Sequence, residues 1–422
     1  MPRRKILWVK TGPLYPLDTG GKKRTHSMLV ELSKDYEVTY LALKDDAVAL
    51  DPEESDAPYA AKKRWVSWKE TASGSPKFFL ELLQNLLFSS LPYALVKYRS
   101  ALFEREIVSQ CQDEEFDLII CDFLSPAVNF LRLTERINVP TVLFQHNVEA
   151  QIWKRLAAGK KNPIARWYFG LQFRRMARWE KRLSEIFDGV IMVSPEDTAM
   201  ARSEYGLDNV LGDVPTGVDA DYFQPRSAAE RTGEKTIGFL GSMDWMPNVE
   251  AVHWFVGEIF APVKERVKGA KYLVIGRRPP AAIRAYAEAD EQIEVTGTVD
   301  DVRPYLERCD LLTVPLLSGG GTRIKIMEAL AAGLPVVSTT IGAEGLGLVD
   351  GEHLLIADSS QDFAEAVVRL AGDGDLQERL REQGRALVLA EFSWKRATDV
   401  FVKHCEKVSR RLVTGEDVSQ NS

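Results

Sequence analysis

SGGGTRIKIMEALAAGLPVVST (residues 318–339) joins the two kinds of element that decide this fold. Ahead of it runs CDLLTVPL (309–316), as short and apolar as a strand covered on both faces. Gly319, Gly320 and Gly321 then let a ligand approach the backbone closely. Thr322 is placed to cap a helix whose first turns carry Arg323, Lys325 and Glu328. Gly333 stops that helix, and Pro335 opens the next apolar run. Exposed N–H groups, a helix dipole and two cations together describe an anion site of the kind that holds phosphate.

The same alternation spreads outward in both directions. Downstream of residue 235 it predicts strands at 235–241, 271–276, 292–297, 310–315, 334–340 and 353–358, and helices near 362–370, 376–391 and 394–412. Upstream it predicts strands at 5–10, 36–43, 117–122, 140–145 and 189–194. Residues 44–116 read as less regular, with long amphipathic helices and basic clusters such as KKRW (62–65). Pro215, Gly217, Pro225 and Gly233 break up residues 209–235, which read as an interdomain connection. Short apolar strands separated by helix-length segments make each half a doubly wound parallel α/β domain. Two such domains with a cleft between them are expected, and 422 residues suit two domains of about 200.

Composition narrows the function classes. The chain is 45% apolar and 27% charged with a net charge of −7, which argues against a nucleic-acid binder. Four scattered cysteines form neither a disulfide framework nor a zinc site, so a reducing cytoplasm is expected. The apolar run ILWV near the N-terminus reads as a first strand and not as a signal peptide. The most apolar window (78–96) is interrupted by Glu81, Gln84, Asn85 and Pro92, so no spanning helix is predicted there. Residues 153–187 mix ten Lys and Arg with Trp153, Trp167, Tyr168, Phe169, Phe173 and Trp179. Two readings stay open for them: a peripheral contact with an anionic membrane, or a helix packing its aromatic stripe on the core. A nicotinamide site is disfavoured, because no strand leads into a GxGxxG turn.

Taken together, TGPLYPLDTGG (11–21), QHNVEA (145–150), VSPEDTAMA (193–201), VPTGVDADYFQP (214–225), TGTVDDVRPYLERCDLLTVPL (296–316), the glycine-run stretch and EFSWKRA (391–397) resemble the GT-B glycosyltransferases. Within them the likeness is to the retaining group called family 4. It implies an acceptor-binding domain over 1–215, a nucleotide-sugar-binding domain over 216–391 and a helix over 392–413 crossing back to the first domain; the polar tail over 414–422 reads by its own residues as disordered. It also implies a nucleotide-diphosphate sugar as co-substrate, a carbohydrate or lipid-linked acceptor, no cofactor and no metal. Asp300-Asp301 is expected as a first-turn helix pair and not as a metal motif.

The resemblance carries residues over as follows. Glu328 matches the second member of the family's Glu-x7-Glu pair, which holds the ribose, but the first member is replaced by Gly320. The family's diphosphate-binding cations after the first strand of the second domain are also absent, since GSMDWMPN places Ser242 and Met243 there. Arg323 and Lys325 are the expected replacements. Gly20, Gly21, Ser242, Gly319, Gly320, Gly321 and Thr322 complete the expected donor set. His146 matches a histidine that touches the donor sugar, and Asp18, Asn147 and Glu149 are acceptor-site candidates. Glu149 also reads as an ordinary first-turn acid. A nucleotide-sugar epimerase and a non-catalytic sugar-nucleotide binder are the rival functions.

Overall fold

A computed structural model describes residues 3–17, 19–72, 74–133, 136–158, 162–226, 235–318 and 323–414, with side chains to residue 408. The chain divides into two compact units, Met1–Pro215 with Ala397–Ser422, and Thr216–Arg396.

The first unit is built on a seven-stranded sheet. Its strands are β1 (Lys5–Lys10), β2 (Glu37–Asp45), β3 (Lys62–Trp68), β4 (Leu118–Asp122), β5 (Thr141–Phe144), β6 (Gly189–Met192) and β7 (Val210–Asp213). The order is β3-β2-β1-β4-β5-β6-β7 and every pairing is parallel. Parallel strands need crossovers. The helices used for the site are α1 (Gly20–Leu32), α2 (Pro76–Phe88), α3 (Glu149–Ala158) and α4 (Pro163–Glu185).

The second unit holds six parallel strands: β8 (Lys235–Leu240), β9 (Ala270–Ile275), β10 (Ile293–Val295), β11 (Leu311–Val314), β12 (Val336–Ser338) and β13 (Leu355–Ile356). Their order is β10-β9-β8-β11-β12-β13, with α5 (Met246–Trp254) and α6 (Ile324–Ala331) at the strand ends. The last helix, α7 (Trp394–Thr414), returns to the first unit, where Phe401 lies 5.7 Å from the Trp8 ring and 5.1 Å from Phe144. Each unit has its own buried apolar cluster, and the two share no residue.

Several expectations need correction. The basic cluster KKRW is not helical; it opens β3, an edge strand whose Trp65 packs edge-on to Tyr40 at 5.8 Å. Charges on an edge strand discourage pairing with other chains, and they also hide its alternation in the sequence. Residues 210–213 are not connection but β7, which pairs with β6 through a register shift. The helix after the glycine run starts at Ile324 with Arg323 in the N-cap position, and the expected cap residue Thr322 lies outside the described residues. Asp300 and Asp301 precede a short helix, Arg303–Leu306, rather than opening it, and the Asp301 carboxylate accepts from Arg303 N at 2.9 Å.

Candidate functional site

The second unit gathers polar groups at the carboxyl ends of its central strands. Because β8 and β9 run parallel with Leu240 opposite Ile275, the residues following each strand meet. Gly241 N donates to Ile275 O at 2.9 Å and Met243 N donates to Arg277 O at 3.1 Å. The loops are so close that a Cβ on Gly276 would stand 2.0 Å from Gly241 O, which leaves glycine as the residue that fits. Arg277 Nε then donates to Ser242 Oγ at 3.0 Å and lies 3.1 Å from Asp244. Arg278, at φ +53°, lies 3.6 Å from the same carboxylate.

From the third side, α6 brings Lys325. Its Nζ donates to Asn248 Oδ1 at 2.6 Å and sits 4.7 Å from the centre of the Phe239 ring, while Asn248 Nδ2 donates to Ser242 O at 2.7 Å. Burial of the ammonium, reinforced by Arg323, brings its pKa down to about 7 against an opposing pull from Glu328. Arg323 is buried; it donates to Ile341 O at 2.9 Å and lies 3.8 Å from Glu344, so part of its fork serves the loop after β12. Glu328 is half-buried one turn along from Lys325. Gly319, Gly320, Gly321 and Thr322 lie outside the described residues, as does Asp18 in the first unit.

The first unit builds a second cluster, equally dependent on parallel neighbours. Lys10 ends β1, Asp122 ends β4, and His146 follows β5. Asp122 is fully buried and accepts from Lys10 Nζ at 2.6 Å, Thr25 Oγ1 at 2.7 Å and Trp8 Nε1 at 3.1 Å. Its other oxygen lies 2.7 Å from His146 Nε2. Burial alone raises a carboxyl pKa, but Lys10 and His146 outweigh it and hold Asp122 well below the carboxylate range. Burial dominates at His146 and lowers it to about 4, so the imidazole is neutral near pH 7. With an ionised carboxylate facing Nε2, the proton of the neutral ring is assigned to that nitrogen.

Phe123 supports this arrangement under strain. A non-glycine residue at φ +78°, it stacks on His146 with ring centres 3.8 Å apart and lies under Lys10 Nζ at 4.1 Å. Gly21 makes room for that ring, since a Cβ there would stand 2.6 Å from it. Gly20 is exposed and opens α1, capped by Thr19. Asn147 is exposed, whereas Glu149 is half-buried at the start of α3. The backbone N–H groups of Glu149 and Ala150 donate to Glu180 of α4 at 2.7 and 3.0 Å. Burial raises that carboxyl to about 7.

Sequence reasoning singled out His146, Ser242, Arg323, Lys325 and Glu328 but did not name Lys10, Thr25, Asp122, Glu180 or Arg277, which the structure places in the same two clusters. Asp122 carried a signal, an acid closing the apolar run DLIICD at a strand end. Arg277 carried one as well, just after the Gly276 that closes β9. Glu180 carried none, being one of many charges on a basic helix.

The family models agree with this division of the chain. "Glycosyltransferase Family 4" matches residues 19–222 and "Glycosyl transferases group 1" matches residues 234–373. A phosphatidyl-myo-inositol mannosyltransferase of Mycobacterium leprae is 29% identical over 52% of this chain, and the match spans 59% of that relative's own length. A lipopolysaccharide core biosynthesis glycosyltransferase of Rhizobium meliloti is 30% identical over 26% of this chain and 33% of its own. Among solved structures, a sucrose-phosphate synthase from Thermosynechococcus elongatus superposes with a TM-score of 0.65 at 16% identity, over 98% of this chain and all of the other. Anabaena Alr3699/HepE in complex with UDP and glucose gives 0.61 at 13% identity, over 96% of this chain and all of its own. At these identities the structural likeness establishes the fold.

Proposed function

Since this chain belongs to the group 1 and family 4 glycosyltransferases of GT-B fold, we propose that it moves a sugar from a nucleotide-diphosphate donor to a carbohydrate or lipid-linked acceptor, with retention and without a bound metal. The observation that most supports this reading is the meeting of Ser242 and Arg277, from the loops after two adjacent strands, with Lys325 of α6, which reaches Ser242 through Asn248. The bond between anomeric carbon and diphosphate oxygen breaks, and negative charge accumulates on the departing group. Cations and hydrogen-bond donors already in place stabilise that charge more than they stabilise the bound donor. Lys325 is held by Asn248, Arg277 by Ser242 and Asp244, and Arg323 by Ile341, so each is oriented before the donor arrives. A new bond forms from the acceptor oxygen to the same carbon. The acceptor's proton passes to the released diphosphate, which removes the need for a separate base.

In the first unit, neutral His146 is a hydrogen-bonding ring rather than a cation. Asp122 engages Nε2, leaving Nδ1 to accept from a sugar hydroxyl. Glu328 takes the ribose hydroxyls, and Gly20 and Gly21 leave backbone open to the donor. Asn147 and Glu149 face the acceptor in this reading.

Thermal-shift measurements against UDP-, GDP-, ADP- and TDP-sugars identify the donor by the rise in melting temperature. The UDP and glucose in the Anabaena neighbour make UDP-glucose the first to try. With the donor known, Arg277→Ala is expected to lower turnover by about 10²-fold with the melting curve unchanged. Near-normal turnover in that variant removes Arg277 from the site. A product of inverted configuration, or an epimerised nucleotide sugar released without acceptor, rejects the reaction proposed.

A further inference from the structure

Helix α2 reverses the usual relation of residue type to burial. Its sequence, PKFFLELLQNLLF, contains eight Phe and Leu, yet the residue it buries is Asn85. Phe79, Leu80, Leu83 and Leu87 are all more than half exposed, and Phe88 at the end is 84% exposed. At ~100° per residue the first four fall within about a quarter of the helix circumference. They form a continuous apolar strip rather than scattered exposed residues.

The helix is held in place by polar bonds at its carboxyl end. Arg175 of α4 donates to Asn85 O at 3.1 Å and Leu86 O at 2.9 Å, Asn85 Nδ2 donates to Leu91 O at 2.9 Å, and Trp179 Nε1 donates to Ser90 O at 2.9 Å. The apolar strip is therefore fixed beside α4 without being covered by it. In α4 itself the carboxyl half is packed, with Met176, Trp179 and Leu183 buried, but the amino half exposes Ile164 and Trp167. Together α3 and α4 carry eight Lys and Arg against three Glu, in a chain of net charge −7.

We propose that α2, with the amino half of α4, lies in the headgroup region of an anionic lipid bilayer, the apolar strip inserted and the cations of α3 and α4 on lipid phosphates. No helix among the described residues is long and apolar enough to cross a membrane, so the contact is in the plane of the surface. Charge selects this occupant over a second copy of the chain: a two-fold contact on this face sets the same cations against one another. The proposal does not depend on the transfer reaction, because binding is measured with neither donor nor acceptor present.

The test is flotation of the full-length protein with vesicles of phosphatidylcholine alone and of phosphatidylcholine with about 30 mol % phosphatidylglycerol. The bound fraction is expected to be at least ~5-fold higher on the anionic vesicles and to fall in high salt. Combined Phe79→Ser, Leu83→Ser and Leu87→Ser is expected to weaken that binding about 10-fold, and Arg166→Glu with Arg174→Glu to do the same. All five side chains are exposed, and an unchanged thermal melt of each variant verifies that the fold is kept. Equal weak binding to both vesicle types overturns the proposal. Unchanged binding by the serine variant overturns it as well. So does a dimer seen by light scattering that the serine substitutions dissolve while vesicle binding is absent.

Discussion

Lys325 shows what placement does to one side chain. An ammonium beside the Phe239 ring, bonded to Asn248 and near Arg323, titrates at about 7 and is half-charged at neutral pH. A diphosphate stabilises the charged form, so binding it draws in a proton. Affinity for the nucleotide diphosphate is therefore expected to fall as pH rises above 7, by up to about 10-fold per unit. Titration calorimetry in two buffers of different ionisation enthalpy should detect that uptake near pH 7.5. Lys325→Met is expected to abolish it, and unchanged uptake in the variant removes Lys325 from the diphosphate. The lysine itself was legible in the sequence, beside the glycine run. Its pKa was not, because Phe239 and Asn248 lie some 80 residues away along the chain.

At the scale of elements, α3 and α4 are tied together by a charge whose titration opposes that of its neighbour. His146 falls from 6.5 to about 4, so the stability it confers is lost as pH drops through that window. Glu180 rises from 4.5 to about 7, and its contribution is lost as pH rises through nearly the same window. Each shift is equivalent to about 3 kcal/mol, so the two nearly cancel between pH 4.5 and 6.5. Glu180→Gln removes one side of the balance. Urea unfolding of that variant is expected to show about 2 kcal/mol less stability at pH 5 than at pH 7.5, with little difference in the parent. A pH response identical to the parent's rejects the pairing of these two groups. The segment QHNVEA pointed to His146 directly, but nothing local marked Glu180 as the carboxylate receiving its helix N–H groups. The same limit hid β3, whose lysines and arginine obscure a strand pattern that only pairing with β2 makes plain.

At the scale of the molecule, the chain builds two cores and closes the first with its last helix. Phe401 of α7 is 1% exposed and packs against Trp8 and Phe144, residues of β1 and β5. Removing the ring leaves a cavity in the first unit's core without touching the second. Phe401→Ala is expected to destabilise the first unit by about 3–5 kcal/mol while the second unit unfolds at its usual midpoint. Two separate transitions by calorimetry would establish this, and a joint shift of both would contradict it.

The alternation of apolar runs and helix-length segments determined two parallel α/β units, because a strand buried on both faces and a helix striped on one leave different periods in a sequence. The glycine run, Lys325, Glu328 and His146 were likewise local signals at strand ends. Only the tertiary structure supplied the partners of Lys325 and His146. Parallel register brings Arg277 to Ser242 across 35 positions and Lys10 to Asp122 across 112, and no local pattern encodes which strand lies beside which. The loop after β8 carries no Lys or Arg over residues 241–248, and Arg277 reaches it from the adjacent strand's loop. The residue types come from the sequence, and their meeting comes from strand order.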